Sequence, residues 1–179
     1  NKIRIVPQGF DFSIVKTLPK YIKTQKVTFA YAGSVGSSRL DPSGILDYLS
    51  KIETGFRFII YAKNKPFLSK YKELLKDKLE LRDYVPREQL LRELNQMDFL
   101  IHIETNSKVQ KSSKLIDYAL INKPILSIKT KEVDGQRLND FLHGNYSDRL
   151  QITNIEEYNI TNVANQFLKL SFENETKEC

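Results

Sequence analysis

Met97 to Ile103, reading MDFLIHI, is a nearly continuous apolar run, the pattern of a strand covered on both faces. Such a strand needs a layer of helices on each side, and the rest of the chain offers them in alternation. Val27 to Ala32 (VTFAYA) is rich in β-branched and aromatic residues and predicts a strand. It runs into Gly33-Ser34-Val35-Gly36-Ser37-Ser38, a loop of small residues that lets a ligand or another segment come close to the backbone. Ser43 to Glu53 then reads as a helix with Ile45, Leu46, Leu49 and Ile52 on its core face.

The alternation continues with a strand at Phe56 to Ala62, a helix at Pro66 to Leu75 and a short strand at Leu79 to Leu81. A helix at Pro86 to Leu94 leads into the Met97 strand. Beyond it come a helix after Gln110, a strand at Pro124 to Ile128 and a helix at Gly135 to Leu142. A strand at Arg149 to Ile152 and a terminal helix from about Asn154 to Leu170 complete the pattern. This predicts an α/β, Rossmann-like, doubly wound parallel sheet of about six strands with helices on both faces. Its order would be 3-2-1-4-5-6, with the ligand crevice where that order reverses. Before Val27 the reading is less regular: a short strand at Ile3 and Ile5, a turn at Pro7-Gln8-Gly9, and one or two helical turns over Leu18 to Lys23.

With 40% hydrophobic and 28% charged residues, the 179-residue chain is a globular domain of ordinary size with no run long enough to span a membrane. The N-terminus lacks an initiating Met and a signal-peptide pattern, as expected of the middle of a longer, cytoplasmic protein. The formal charge of +6 is spread along the chain without a dense basic block, so no nucleic-acid partner is expected, whereas peripheral contact with an anionic inner membrane surface is compatible with it. One Cys and two distant His argue against a disulfide framework and against a metal centre, and His102, at the end of an apolar strand, reads as structural.

The most informative stretch is QKSSKLIDYALINKPILSI, Gln110 to Ile128. Helical spacing places Leu115, Ile116, Ala119 and Leu120 on one apolar face and Ser113 and Asp117 on the opposite side. Asn122 tolerates the left-handed conformation that ends helices, and Pro124 cannot continue one. The helix start, capped by Ser112 or Ser113 and flanked by Lys111 and Lys114, has the free N–H groups and positive charge that suit a phosphate. An ordinary amphipathic helix accounts for the same residues.

Taken together and in order, these segments resemble the C-terminal, nucleotide-sugar-binding half of group 1 glycosyltransferases of the GT-B fold. KIRIVPQGFD resembles that family's hinge of hydrophobic-Pro-Asn-Gly-x-Asp, with Gln8 at the Asn position. VTFAYAGSVG resembles its first strand and glycine loop, and LRDYVPREQLLRELNQMDFLIHI its strand, loop, helix and strand. SSKLIDYALINKPILSI is similar to its Pro-Ser-Lys-Leu-x-Glu-Tyr-x-x-x-Gly-Lys-Pro signature, with Asp117 at the Glu position and Asn122 at the Gly position. The resemblance implies a hinge over residues 1–18, a nucleotide-sugar-binding domain over 19–171 and a polar tail over 172–179. It implies no cofactor, a nucleoside-diphosphate sugar as donor substrate, no metal, and a partner domain, N-terminal to this one, that binds the acceptor. The fragment alone would then bind nucleotide without transferring sugar.

The same resemblance implies roles for individual residues. Asp117 would accept the donor's ribose hydroxyls. Ser112, Ser113 and Lys114, with Leu115 in the same turn, would present the helix start to the diphosphate, and Gly33 and Ser34 would approach the phosphates or the sugar. The Tyr84 to Arg87 loop, with Val85 and Arg87, would hold the base edge. Lys114 and Arg39 are the candidate catalytic cations, Arg39 supplying charge where Ser34 and Ser43 replace the family's usual basic residues. The first acid of the family's paired-Glu motif falls at Val109, with Glu104 out of register, and Asp98 reads as a structural turn residue. Those departures imply a subgroup with altered donor contacts or a domain with weakened activity and favour a non-catalytic interaction module that kept the fold, while a nucleotide-sugar epimerase would share the same donor half.

Overall fold

The structure is a computed structural model that describes residues 3–36, 40–63, 66–104 and 113–175. Five strands form one parallel sheet in the order β3-β2-β1-β4-β5. They are β1 (Val27–Ala32), β2 (Phe56–Tyr61), β3 (Leu79–Arg82), β4 (Phe99–Glu104) and β5 (Ile125–Lys129). The crossovers carry α1 (Ser43–Leu49), α2 (Ser69–Leu75), α3 (Arg87–Leu94) and α4 (Ser113–Leu120), and α5 (Gly135–Leu142) and α6 (Ile160–Glu175) follow the last strand.

Strand alternation builds two cores. In β1, Phe29 and Tyr31 face a large cluster completed by α1, α2 and α5, whereas Ala30 and Ala32 face a second cluster with Leu91 and Leu94 of α3 and Tyr118 of α4. The first face is aromatic: Phe29 stacks between Phe58 and Phe99, with ring centroids 4.6 and 4.5 Å away. Across the sheet, the small Ala30 and Ala32 leave room for α3 and α4 to come in close.

Strands β1 and β4 pair only through Phe29↔Phe99 and Ala30↔Leu100 and then part, which opens the crevice at the point where strand order reverses. Asn122 ends α4 with φ of 52°, the left-handed conformation expected of it.

Three expected elements take another form. Arg149 to Ile152 is not a strand: Leu150 donates its N–H to Ile125 O at 2.8 Å, and Leu150 and Ile152 turn their side chains into the second core. Ile3 and Ile5 are exposed and lie in no strand, because the N-terminal segment runs beside the start of α6 instead of at a sheet edge. There Phe10 donates to Tyr158 O at 2.7 Å and accepts from the Ile160 N–H at 2.9 Å. Helical structure falls at Ser13–Thr17, a 3₁₀ turn, and not at Leu18 to Lys23. Pro19 and Lys20 there accept at their carbonyls from the side chains of Asn95 and Gln96, just past α3, which hold this segment along the end of that helix.

Candidate functional site

Where β1 and β4 separate, the hydroxyl of Tyr118 fills the gap, accepting the Ala32 N–H at 3.1 Å. This fastens α4 to the end of β1 and sets the positions of Lys114 and Asp117, one turn earlier and one residue before Tyr118 on the same helix. Above it lies a cleft of about 370 Å³ whose walls include Gly33 and Ser34, Val85 and Arg87, Lys114 and Asp117. Segments far apart in the chain therefore meet at the carboxyl end of the sheet.

Lys114 is half-buried, with its ammonium 5.6 Å from the centroid of the Tyr31 ring. Burial pushes its pKa down. Gly33 allows this approach: a Cβ added there would lie 2.3 Å from Lys114 Nζ and 2.5 Å from Tyr31 Oη. The lysine end can move, whereas the Tyr31 ring, with its Cζ at 2.8 Å, is buried and its hydroxyl is bonded to Ser34 O. Gly33→Ala is therefore expected to displace the ammonium, weaken nucleotide binding by about three- to tenfold and lower Tm by about 2–10 °C as the Tyr31 ring is pressed into its core neighbours. Calorimetric titration beside a thermal melt checks both parts.

Asp117 is mostly buried and receives both Nε and Nη2 of Arg87 on a single oxygen, Oδ1, at 2.9 and 2.6 Å. Burial raises its pKa, and the Arg87 guanidinium opposes that rise. His102 sits near Lys114, beside a smaller cavity that Lys114 and Tyr31 also line. Burial lowers its pKa, with Glu104 acting against this and Lys114 with it.

The remaining expected residues fall as follows. Ser113 is exposed at the first turn of α4, and Leu115 packs into the second core, so a ligand would meet its backbone N–H and not its side chain. Ser43 opens α1 with its N–H bonded to Asp41 Oδ1 at 2.9 Å. Asp98 lies just before β4, at the far end of the sheet from the cleft, and accepts from the Tyr21 hydroxyl at 2.5 Å and the Thr28 N–H at 2.7 Å. Glu104 accepts from Ser127 Oγ at 2.8 Å. Arg39, Ser112 and Val109 lie outside the described residues.

Tyr61 and Tyr118 were missing from the sequence-based expectations. Tyr61 lines the cleft floor, donating to Glu93 at 2.6 Å while Arg82 donates to it at 2.8 Å. Its place on the Ala30 and Ala32 face follows from strand alternation, which is the signal that could have found it.

No protein-family model matches the chain. No curated protein matches it either. Solved structures do: the chain has the fold of the C-terminal half of GT-B glycosyltransferases. HepE of Anabaena, solved in complex with UDP-glucose, is 8% identical over 95% of this chain and 57% of its own length, with a TM-score of 0.66. The avilamycin A biosynthesis glycosyltransferase AviGT4 is 10% identical over 94% of this chain and 57% of its own, at a TM-score of 0.59. The lipopolysaccharide outer core galactosyltransferase WaaB is 11% identical over 96% and 56%, at 0.56. The chain thus spans little more than half the length of the proteins it resembles.

Proposed function

We propose that this chain is the donor-binding half of a glycosyltransferase that moves a sugar from a nucleoside-diphosphate sugar to an acceptor held by a further, N-terminal domain. The observation that carries this reading is the meeting of Gly33, Lys114 and Asp117 in one cleft at the switch point of the sheet. The fold it occupies is shared with HepE, which was solved with UDP-glucose.

The chemistry fits the residues. Breaking a sugar–phosphate bond leaves charge on the diphosphate, and a fixed cation and free N–H groups stabilise that charge. Lys114 supplies the cation, and the first turn of α4 supplies N–H groups whose dipole favours an anion. Asp117 takes a ribose hydroxyl, and Val85 lies where a base edge would rest. No metal is needed for charge stabilisation of this kind, and we assign the reaction to the retaining class on the resemblance of the signature helix. A role in surface polysaccharide or glycolipid synthesis, on the cytoplasmic side and peripheral to the inner membrane, accords with the charge of +6. No helix among the described residues is long and apolar enough to cross a membrane.

Titration calorimetry with UDP, GDP and ADP tests this function. We expect one of them to bind and Asp117→Ala to weaken it by about tenfold. Absence of binding by all three at millimolar concentration, or binding untouched by Asp117→Ala, would sink the assignment. A non-catalytic module is favoured by Ser34 and Ser43, which stand where the resembled family carries basic residues, and by Val109 at the place of its first motif acid. Nucleotide binding with neither sugar transfer nor epimerised donor, measured with the acceptor-binding domain present, would support it instead.

A further inference from the structure

The pairing of Arg87 with Asp117 has an unusual form. A guanidinium facing a carboxylate commonly engages both oxygens through two parallel bonds. Here Nε and Nη2 converge on Oδ1, so Oδ2 is not used by Arg87. The two residues stand 30 apart in sequence, on α3 and α4. Behind the guanidinium lies a third element: the Phe10 ring, with its centroid 5.5 Å from Arg87 Cζ. That ring is itself held, through the backbone bonds of Phe10 to Tyr158 and Ile160.

We propose that Arg87 is a positioning residue for the nucleotide sugar: it fixes and keeps charged the carboxylate of Asp117, so that Oδ2 stands ready for a ligand hydroxyl. The inference deepens the donor-binding reading and rests on it. A mostly buried carboxylate left alone takes up a proton readily, and a protonated one is a poorer acceptor for a sugar hydroxyl. Arg87 opposes that by charge and removes rotational freedom by its planar fork. Among the described residues, these charged and titratable groups lie around the pair. Lys114 and Tyr118 flank Asp117 on its own helix, Tyr84 comes from the loop before α3, and Asp11 faces Arg87 from the N-terminal segment. Phe10 gives Arg87 a flat surface to rest on, which makes the N-terminal segment part of the support for the site.

The test is titration of the 179-residue chain with UDP-glucose, and with GDP- and ADP-glucose in parallel, between about pH 5 and pH 8. A nucleotide sugar is the right probe because each of its phosphorus atoms, with one ester and one anhydride bond, keeps a single fixed charge, unlike the terminal phosphate of a free diphosphate. His102 and Lys114 are present in parent and variant alike, so the difference reports the carboxylates that Arg87 faces, Asp117 and Asp11, and Asp117→Asn tells these two apart.

We expect Arg87→Gln to lose affinity toward acid pH, falling about tenfold further than the parent across the range. Arg87→Lys should keep the parent's profile, because its charge remains, but bind about threefold more weakly without the fork. Asp117→Asn should bind weakly with no Asp117 component in its profile. An Arg87→Gln chain that binds with the parent's affinity and pH profile overturns the proposal. If thermal melts show that Arg87→Gln does not fold, Arg87→Lys decides, and parental affinity there overturns it. Failure of the parent to bind any of the three sugars overturns the donor-binding reading and this one with it. A binding parent with an indifferent Arg87→Gln overturns only the role of Arg87.

Discussion

Lys114→Met is expected to weaken nucleoside-diphosphate binding by about 10- to 100-fold while leaving the chain at least as stable as the parent. The two effects have opposite signs because the ammonium is placed for a ligand and not for the fold. It is half-buried over Tyr31, and among the described residues no carboxylate pairs with it. A cation held away from water without an anion costs stability, which is why burial lowers its pKa. A methionine fills the same space without that cost.

The sign of the pH dependence separates the two roles. With the folded pKa of Lys114 below its usual 10.5, the unfolded chain binds more protons in the alkaline window beneath that value. The cost of the buried charge is therefore fully present at neutral pH and is relieved as pH rises through the folded pKa. Denaturant melts at neutral and alkaline pH should show the parent gaining stability relative to Lys114→Met as pH rises. Loss of stability in Lys114→Met, together with unchanged nucleotide affinity, would place this lysine in the architecture instead of the site.

Local patterns carried much of this picture in the sequence, and pairings between distant segments did not. The five strands are legible in the alternation, and their order among the described residues is that of the doubly wound arrangement such an alternation predicts, without its sixth strand. The stop at Asn122 follows from one residue's tolerance of positive φ. By contrast, the Arg149 to Ile152 segment has strand-like side chains, yet a strand also needs a full ladder of backbone bonds, and only the Leu150 bond to Ile125 forms among those described. Helical spacing alone places Ser113 with Asp117 on the open side of the helix, and the division of one ligand between Lys114 and Asp117 is what the resemblance of the signature implies. That Arg87 would occupy one oxygen of Asp117 could not be read from either, since nothing local in either helix specifies which residues α3 and α4 bring together.

The division of the sheet into an aromatic face and a small-residue face carries a consequence of similar size. Phe29→Ala is expected to destabilise the chain by about 3–5 kcal/mol. Its ring is fully buried on the central strand, stacked on Phe58 and Phe99 and tilted against Phe56 at 5.8 Å, and Phe99 passes the contact on to Phe141 of α5. Removing it opens a cavity among rings that cannot all shift inward, so the loss is a large fraction of the roughly 5–15 kcal/mol that holds an ordinary domain folded. Urea unfolding should show a lower midpoint with an unchanged slope. The cleft, however, lies on the opposite face, where Ala32 and Tyr118 join β1 to α4. Nucleotide affinity per folded molecule should therefore stay near the parent's, the reverse of the Lys114→Met result. Equal loss of affinity in both variants would mean that the aromatic face also sets the geometry of the cleft, through the shared strand β1.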